Sequence, residues 1–133
     1  MPQTSYVLGV TLKPVKGLMV QAIHKTYDKN YSDWSPDARE FDGTNDDADR
    51  AQVWEAPGYS KLDLHMSYKL PQVKGLDMTL NGHIFNVIDE VFVQDAVDNS
   101  QYNGYGSKQH LPHNAEVFLG TPRYANIGLT INF

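Results

Sequence analysis

Cysteine is absent from the 133 residues, which excludes disulfides, thiolate metal ligands and a cysteine nucleophile. No apolar run approaches the roughly eighteen residues that a membrane-crossing helix needs. Basic residues are few: eleven Lys and Arg stand against sixteen Asp and Glu, a net charge of −5. No basic stripe suited to nucleic acid occurs, so nucleic acid is not expected as a partner. Half of the acidic residues fall between Asp33 and Glu55, so the acidity is local. The opening Met1-Pro2-Gln3-Thr4-Ser5-Tyr6 lacks the basic and apolar regions of a secretory signal. There is also no nucleophile elbow, phosphate-cradling glycine loop or paired catalytic carboxylate motif, so neither an enzyme nor a cofactor is expected.

What the chain does have is alternation. In the last eight residues Ile127, Leu129, Ile131 and Phe133 fall on one face of a strand, and Asn126, Gly128, Thr130 and Asn132 on the other. Extended back to Tyr124 the run is about ten residues, enough to cross a bilayer at a tilt. Leu62, Leu64, Met66, Tyr68 and Leu70 likewise oppose Lys61, Asp63, His65, Ser67 and Lys69. Leu76, Met78, Leu80 and Ile84 oppose Asp77, Thr79, Asn81 and His83, and Tyr6, Leu8, Val10 and Leu12 share one face near the start. The pattern predicts five strands, at Ser5–Lys13, Leu18–Asn30, Tyr59–Leu70, Leu76–Val93 and Val117–Phe133, the last with an irregular start around Gly120-Thr121-Pro122. Pattern alone leaves the facing of the second strand open, because Leu18, Val20 and Ala22 alternate with Met19, Gln21 and Ile23. A negative mean hydropathy is compatible with a membrane barrel, where every second residue can face water.

Two segments repeat one another: Lys13-Pro14-Val15-Lys16-Gly17-Leu18 and Lys69-Leu70-Pro71-Gln72-Val73-Lys74-Gly75-Leu76. Pro and Gly supply tight-turn geometry, so both are expected to be short hairpin turns. The other two connections, Ser32 to Gly58 and Asp95 to Glu116, are long and polar. Short and long connections therefore alternate, as in outer-membrane barrels with tight periplasmic turns and long extracellular loops. Tyr27, Tyr31, Trp34, Trp54, Tyr59 and Phe92 lie near the long-loop ends, and Tyr68 and Phe133 near the short-turn end. That placement suits interfacial aromatic girdles and equally suits the ends of a soluble core.

Three stretches carry a family resemblance: Ala56-Pro57-Gly58-Tyr59-Ser60-Lys61-Leu62-Asp63-Leu64, Gly82-His83-Ile84-Phe85-Asn86-Val87-Ile88-Asp89-Glu90-Val91-Phe92, and Gly120-Thr121-Pro122-Arg123-Tyr124 leading to Phe133. Together they resemble the carboxy-terminal barrel region of TonB-dependent outer-membrane receptors, the second stretch looking like the penultimate strand and the third like the last. The likeness covers the chain from about Ala56 onward. It implies an all-β fold: an antiparallel transmembrane β-barrel segment of about five strands, with residues 1–133 as one part of a receptor barrel in a Gram-negative outer membrane. It also implies uptake of a scarce nutrient complex, of the ferric siderophore or cobalamin type, by the whole receptor. The chain has no plug domain and no TonB box. An upstream portion is therefore expected, and the TonB complex would be engaged only through it. Asn126, Gly128, Ile131 and Phe133 resemble the terminal signal read by the barrel assembly machinery, which could pair with an alternating edge strand by strand addition.

Other candidate sites are weaker. Asp42 to Asp49 is rich in oxygen ligands, but counting from Asn45 the EF-hand pattern fails at Arg50 and Ala56, so a solvated outer loop is expected. His110-Leu111-Pro112-His113 is interrupted by proline and has no Cys beside it, which makes it a polar loop pair and no metal site. His65 and His83 are expected to line a lumen as hydrogen-bonding groups. Tyr102 and Tyr105, with His110 and His113, form the best ligand-contact loop, since Tyr offers a rigid amphipathic surface. The expected partners are outer-membrane lipid, the assembly machinery and a small-molecule nutrient complex. The rival expectation is a soluble β-barrel or sandwich that binds a small ligand inside.

Overall fold

The computed structural model describes residues 2–34, 52–72, 74–99 and 110–132. It is all-β: β1 (Pro2–Leu12), β2 (Leu18–Tyr31), β3 (Glu55–Ala56), β4 (Tyr59–Lys69), β5 (Asp77–Phe85), β6 (Val93–Asp98), β7 (Ala115–Leu119) and β8 (Tyr124–Asn132), with one 3-10 turn at Pro112–Asn114. Strand order in the main sheet is β1-β2-β4-β5-β8, with β3 added to β2, while β6 and β7 pair as a separate ribbon. Neighbours in the sheet follow the chain order, as in an up-and-down meander. β1 and β8 end the path, and among the described residues no pairing joins them.

The chain divides into two compact units. The first comprises Met1–Ser5, Tyr27–Tyr59 and Val91–Gly120; the second comprises Tyr6–Thr26, Ser60–Glu90 and Thr121–Phe133.

The second unit is built on alternation. Antiparallel register sets Leu64 opposite Ile84, His65 opposite His83 and Ser67 opposite Asn81. It then sets Leu80 opposite Leu129, Gly82 opposite Ile127 and His83 opposite Asn126. Because side chains switch faces at every residue, this register gathers the apolar residues on one face and the polar ones on the other. The repeated turns share their geometry: Gly17 and Gly75 have φ of +84° and +83°, a region glycine enters without steric cost. Leu18 N–H donates to the Val15 carbonyl at 3.1 Å in the first turn, and Leu70 N–H donates to the Met78 carbonyl at 2.9 Å across the second.

Two predicted strands are corrected. The fourth stops at Phe85 and does not reach Val93, because Asn86 and Asp89 take positive φ (50° and 56°) and turn the chain. The fifth is broken in two. Ala115–Leu119 pairs with Val93–Asp98, whereas Tyr124–Asn132 pairs with β5. Pro122, lacking an N–H, lies in the break. The first predicted long connection therefore holds a short strand of its own, β3, and the β6–β7 ribbon runs into both ends of the second.

In the first unit the buried residues include apolar Val53, Ala56, Tyr59, Phe92 and Ala96 together with polar Asn30 and Ser32. In the second the buried described residues are polar, Asp63 and Asn86, while its apolar face stays uncovered: Tyr6 is 69 % exposed, Leu8 66 %, Leu12 60 % and Ile127 81 %.

Candidate functional site

The polar face of the second unit carries cross-strand pairs. Gln21 Nε2 donates to Thr11 Oγ1 at 3.1 Å, and Lys25 Nζ meets Asp63 Oδ2 at 3.0 Å. Nδ1 of His65 and Nδ1 of His83 lie 2.8 Å apart, and Asn81 Nδ2 reaches Thr130 Oγ1 at 3.5 Å. These contacts resolve the facing of the second strand. Gln21 and Lys25 join the polar face, while Val20 lines an apolar groove with Leu64, Met66, Ile84 and Ile127 around Gly82. The groove holds about 320 Å³, and it exists because glycine at position 82 leaves space that Met66 Cε approaches to 3.6 Å from a would-be Cβ.

Where β5 ends, a hydrogen-bond knot fixes the turn. Asp63 Oδ1 accepts from the Asn86 backbone N–H at 3.0 Å. The Asn86 amide donates to the carbonyls of Glu90 at 2.9 Å and Thr121 at 3.3 Å, and its Oδ1 accepts from Glu90 N–H at 3.1 Å. Arg123 closes the knot from the segment leading into β8: its backbone N–H donates to Asp89 Oδ1 at 2.9 Å, and its guanidinium reaches the Val87 carbonyl at 3.3 Å. Asn suits position 86 on two counts, tolerance of positive φ and a short amide able to serve three partners. The stretches at Asn86–Glu90 and Gly120–Arg123 are thus parts of one turn in space.

In the first unit an aromatic stack takes the place of the polar pairs. Tyr27 and Tyr59 have ring centroids 4.9 Å apart, and Tyr59 stacks on Phe92 at 4.1 Å with an 18° interplanar angle. Phe92 lies against Gly120, whose N–H donates to the Phe92 carbonyl at 2.9 Å. The Tyr31 hydroxyl hydrogen-bonds the Glu55 carboxylate across the β2–β3 pair, which raises the phenol pKa. Asp33 bridges β6, donating its N–H to Ala96 and accepting from Asp98 N–H, both at 2.7 Å.

The predicted site residues fall in separate places. Asn126, Gly128 and Ile131 sit on β8 opposite His83, Asn81 and Met78; Phe133 lies outside the described residues, as do Tyr102 and Tyr105. His110 is part-buried, with its Nδ1 2.5 Å from Asp98 Oδ2. His113 is exposed in the 3-10 turn. The calcium-like loop also lies outside the described residues. Among the described residues no three His, Cys, Asp or Glu side chains converge as a metal cluster, and no helix is long and apolar enough to cross a membrane.

Sequence reasoning missed the Asp63–Asn86 knot and the seat of Phe92 on Gly120. A glycine directly before Thr-Pro, closing the apolar run Val117-Phe118-Leu119, was the available signal for the second; nothing local marked the first. No protein-family profile, curated protein or solved structure matches the chain.

Proposed function

We propose that this chain forms part of the wall of an outer-membrane β-barrel of the TonB-dependent receptor kind. In this reading the second unit spans the bilayer with its apolar face on lipid and its polar face toward the lumen. The observation that carries the proposal is the inverted polarity of the second unit, with Asp63 and Asn86 buried and Tyr6, Leu8 and Ile127 uncovered. A water-soluble sheet hides at least one apolar face, whereas lipid rewards exposing it. Four strands of the sheet have the length a tilted crossing needs, β1 and β4 with 11 residues and β5 and β8 with 9 against roughly 9–11, while β2 is longer at 14.

The whole receptor would import a nutrient complex of the ferric siderophore or cobalamin type without catalysing a reaction. TonB would act through other parts of that protein, and the barrel assembly machinery would engage the β8 edge by strand addition. A second reading, a soluble β-protein holding a small ligand, is favoured by the apolar groove around Gly82. One experiment separates them. The full chain, refolded with and without detergent, is mixed with lipid vesicles and floated on a density gradient. Co-flotation with a β-type circular dichroism spectrum is the expected result. A soluble monomer that stays at the bottom and unfolds cooperatively would overturn the membrane reading.

A further inference from the structure

We propose that His65 and His83 form a two-histidine site for a tetragonal divalent transition-metal ion of the Cu2+ or Ni2+ kind. The two residues are direct cross-strand partners, part-buried, with their Nδ1 atoms 2.8 Å apart. Their rings meet edge-on at 61°, and Phe85 packs on both, 5.4 Å from His65 and 6.1 Å from His83. The convergence of the two nitrogens is therefore fixed by register and by an aromatic neighbour, which is the pre-organisation a metal site requires.

The separation also selects geometry. Imidazole nitrogen binds such ions at about 2.0 Å, so two ligands at a right angle lie about 2.8 Å apart, against about 3.3 Å around a tetrahedral ion. The separation of the nitrogens matches the square-planar or tetragonal case, with the rings turning so that both lone pairs aim at the ion, whereas a tetrahedral Zn2+ would also have to spread the pair. At rest, one ring donates its Nδ1–H to the lone pair of the other. On binding, the donor moves that proton to its own Nε2, so both lone pairs face the ion and the neutral pair loses no proton overall. Among the described residues no third His, Cys, Asp or Glu completes the set. The remaining positions fall to water or to an exogenous chelator, which makes this an open and exchangeable site. The inference depends on the β4–β5 register and stands apart from the membrane reading.

The test is a titration of the full chain in detergent micelles with Cu2+ near neutral pH, followed by calorimetry and electron paramagnetic resonance. One equivalent should bind with a tetragonal spectrum showing coupling to two nitrogens. His65→Asn and His83→Asn should each weaken binding by at least about tenfold, while the double variant His110→Asn/His113→Asn should leave it unchanged. Unaltered binding in either strand variant, or loss in the loop variant, would overturn the proposal. Should a strand variant lose its β spectrum, Ni2+ broadening of amide resonances in the unmodified chain decides: it should centre on His65 and His83, and broadening centred elsewhere refutes the site.

Discussion

The ring of Phe92 lies so close to Gly120 that a Cβ on the glycine would fall 2.0 Å from Cζ and 2.1 Å from Cε2. No side chain fits between them, so the glycine is needed for space. Gly120→Ala should displace Phe92 from Tyr59 and cost about 1–3 kcal/mol, the range for overpacking a fitted contact. Gly128→Ala is the matched control, since nothing lies within 4 Å of its would-be Cβ. Urea midpoints of the two variants should separate clearly; equal midpoints would mean the ring is not held there.

Asn86 combines a φ of 50° with side-chain bonds to Glu90 and Thr121. Asn86→Ala loses the bonds and keeps the unfavourable backbone, at a cost of about 2–4 kcal/mol. Asn86→Gly relieves the backbone alone, so it should fall between alanine and the native chain. Equilibrium denaturation ranks the three, and an alanine variant as stable as the native chain would show that the knot is not a fixed feature.

The Lys25–Asp63 pair is a half-exposed case, with side-chain exposures of 29 % and 4 %. Water reaches the lysine and screens the attraction, so a double-mutant cycle with Lys25→Met and Asp63→Asn should give a coupling of about 1 kcal/mol. Asp63 also accepts from the Asn86 backbone, so Asp63→Ala should cost more than Lys25→Met. The reverse order of the single variants would contradict this arrangement.

Ile127, 81 % exposed, separates the two environments open to the apolar face. Ile127→Lys in a soluble protein should change stability by no more than about 0.5 kcal/mol. Facing the middle of a bilayer it should cost about 2–4 kcal/mol. Folding in lipid vesicles, measured beside a lysine variant on the polar face such as Asn81→Lys, distinguishes the cases.

The alternation at Leu62–Leu70 and the two proline-led Val-Lys-Gly turns settled much in advance, because a period of two and a positive-φ glycine are local properties. The strand ends were less legible. Gly82 to Phe92 looked like continuous strand because Ile84, Val87 and Val91 favour extended backbone, yet Asn86 turns the chain through partners 23 and 35 residues away, Asp63 and Thr121. The facing of Leu18–Asn30 was balanced until Lys25 met Asp63 and Gln21 met Thr11. Likewise His65 and His83 each fell on a polar face by pattern, but only register makes them neighbours.

What the sequence by itself determined is the all-β class, the antiparallel succession and which residues of most strands share a face, since these follow from side-chain period and turn chemistry. Tertiary structure alone decided where strands stop, which polar groups are buried, and that the Phe92 ring packs against Gly120. Those features arise from contacts between residues far apart in the chain, and no local propensity encodes them.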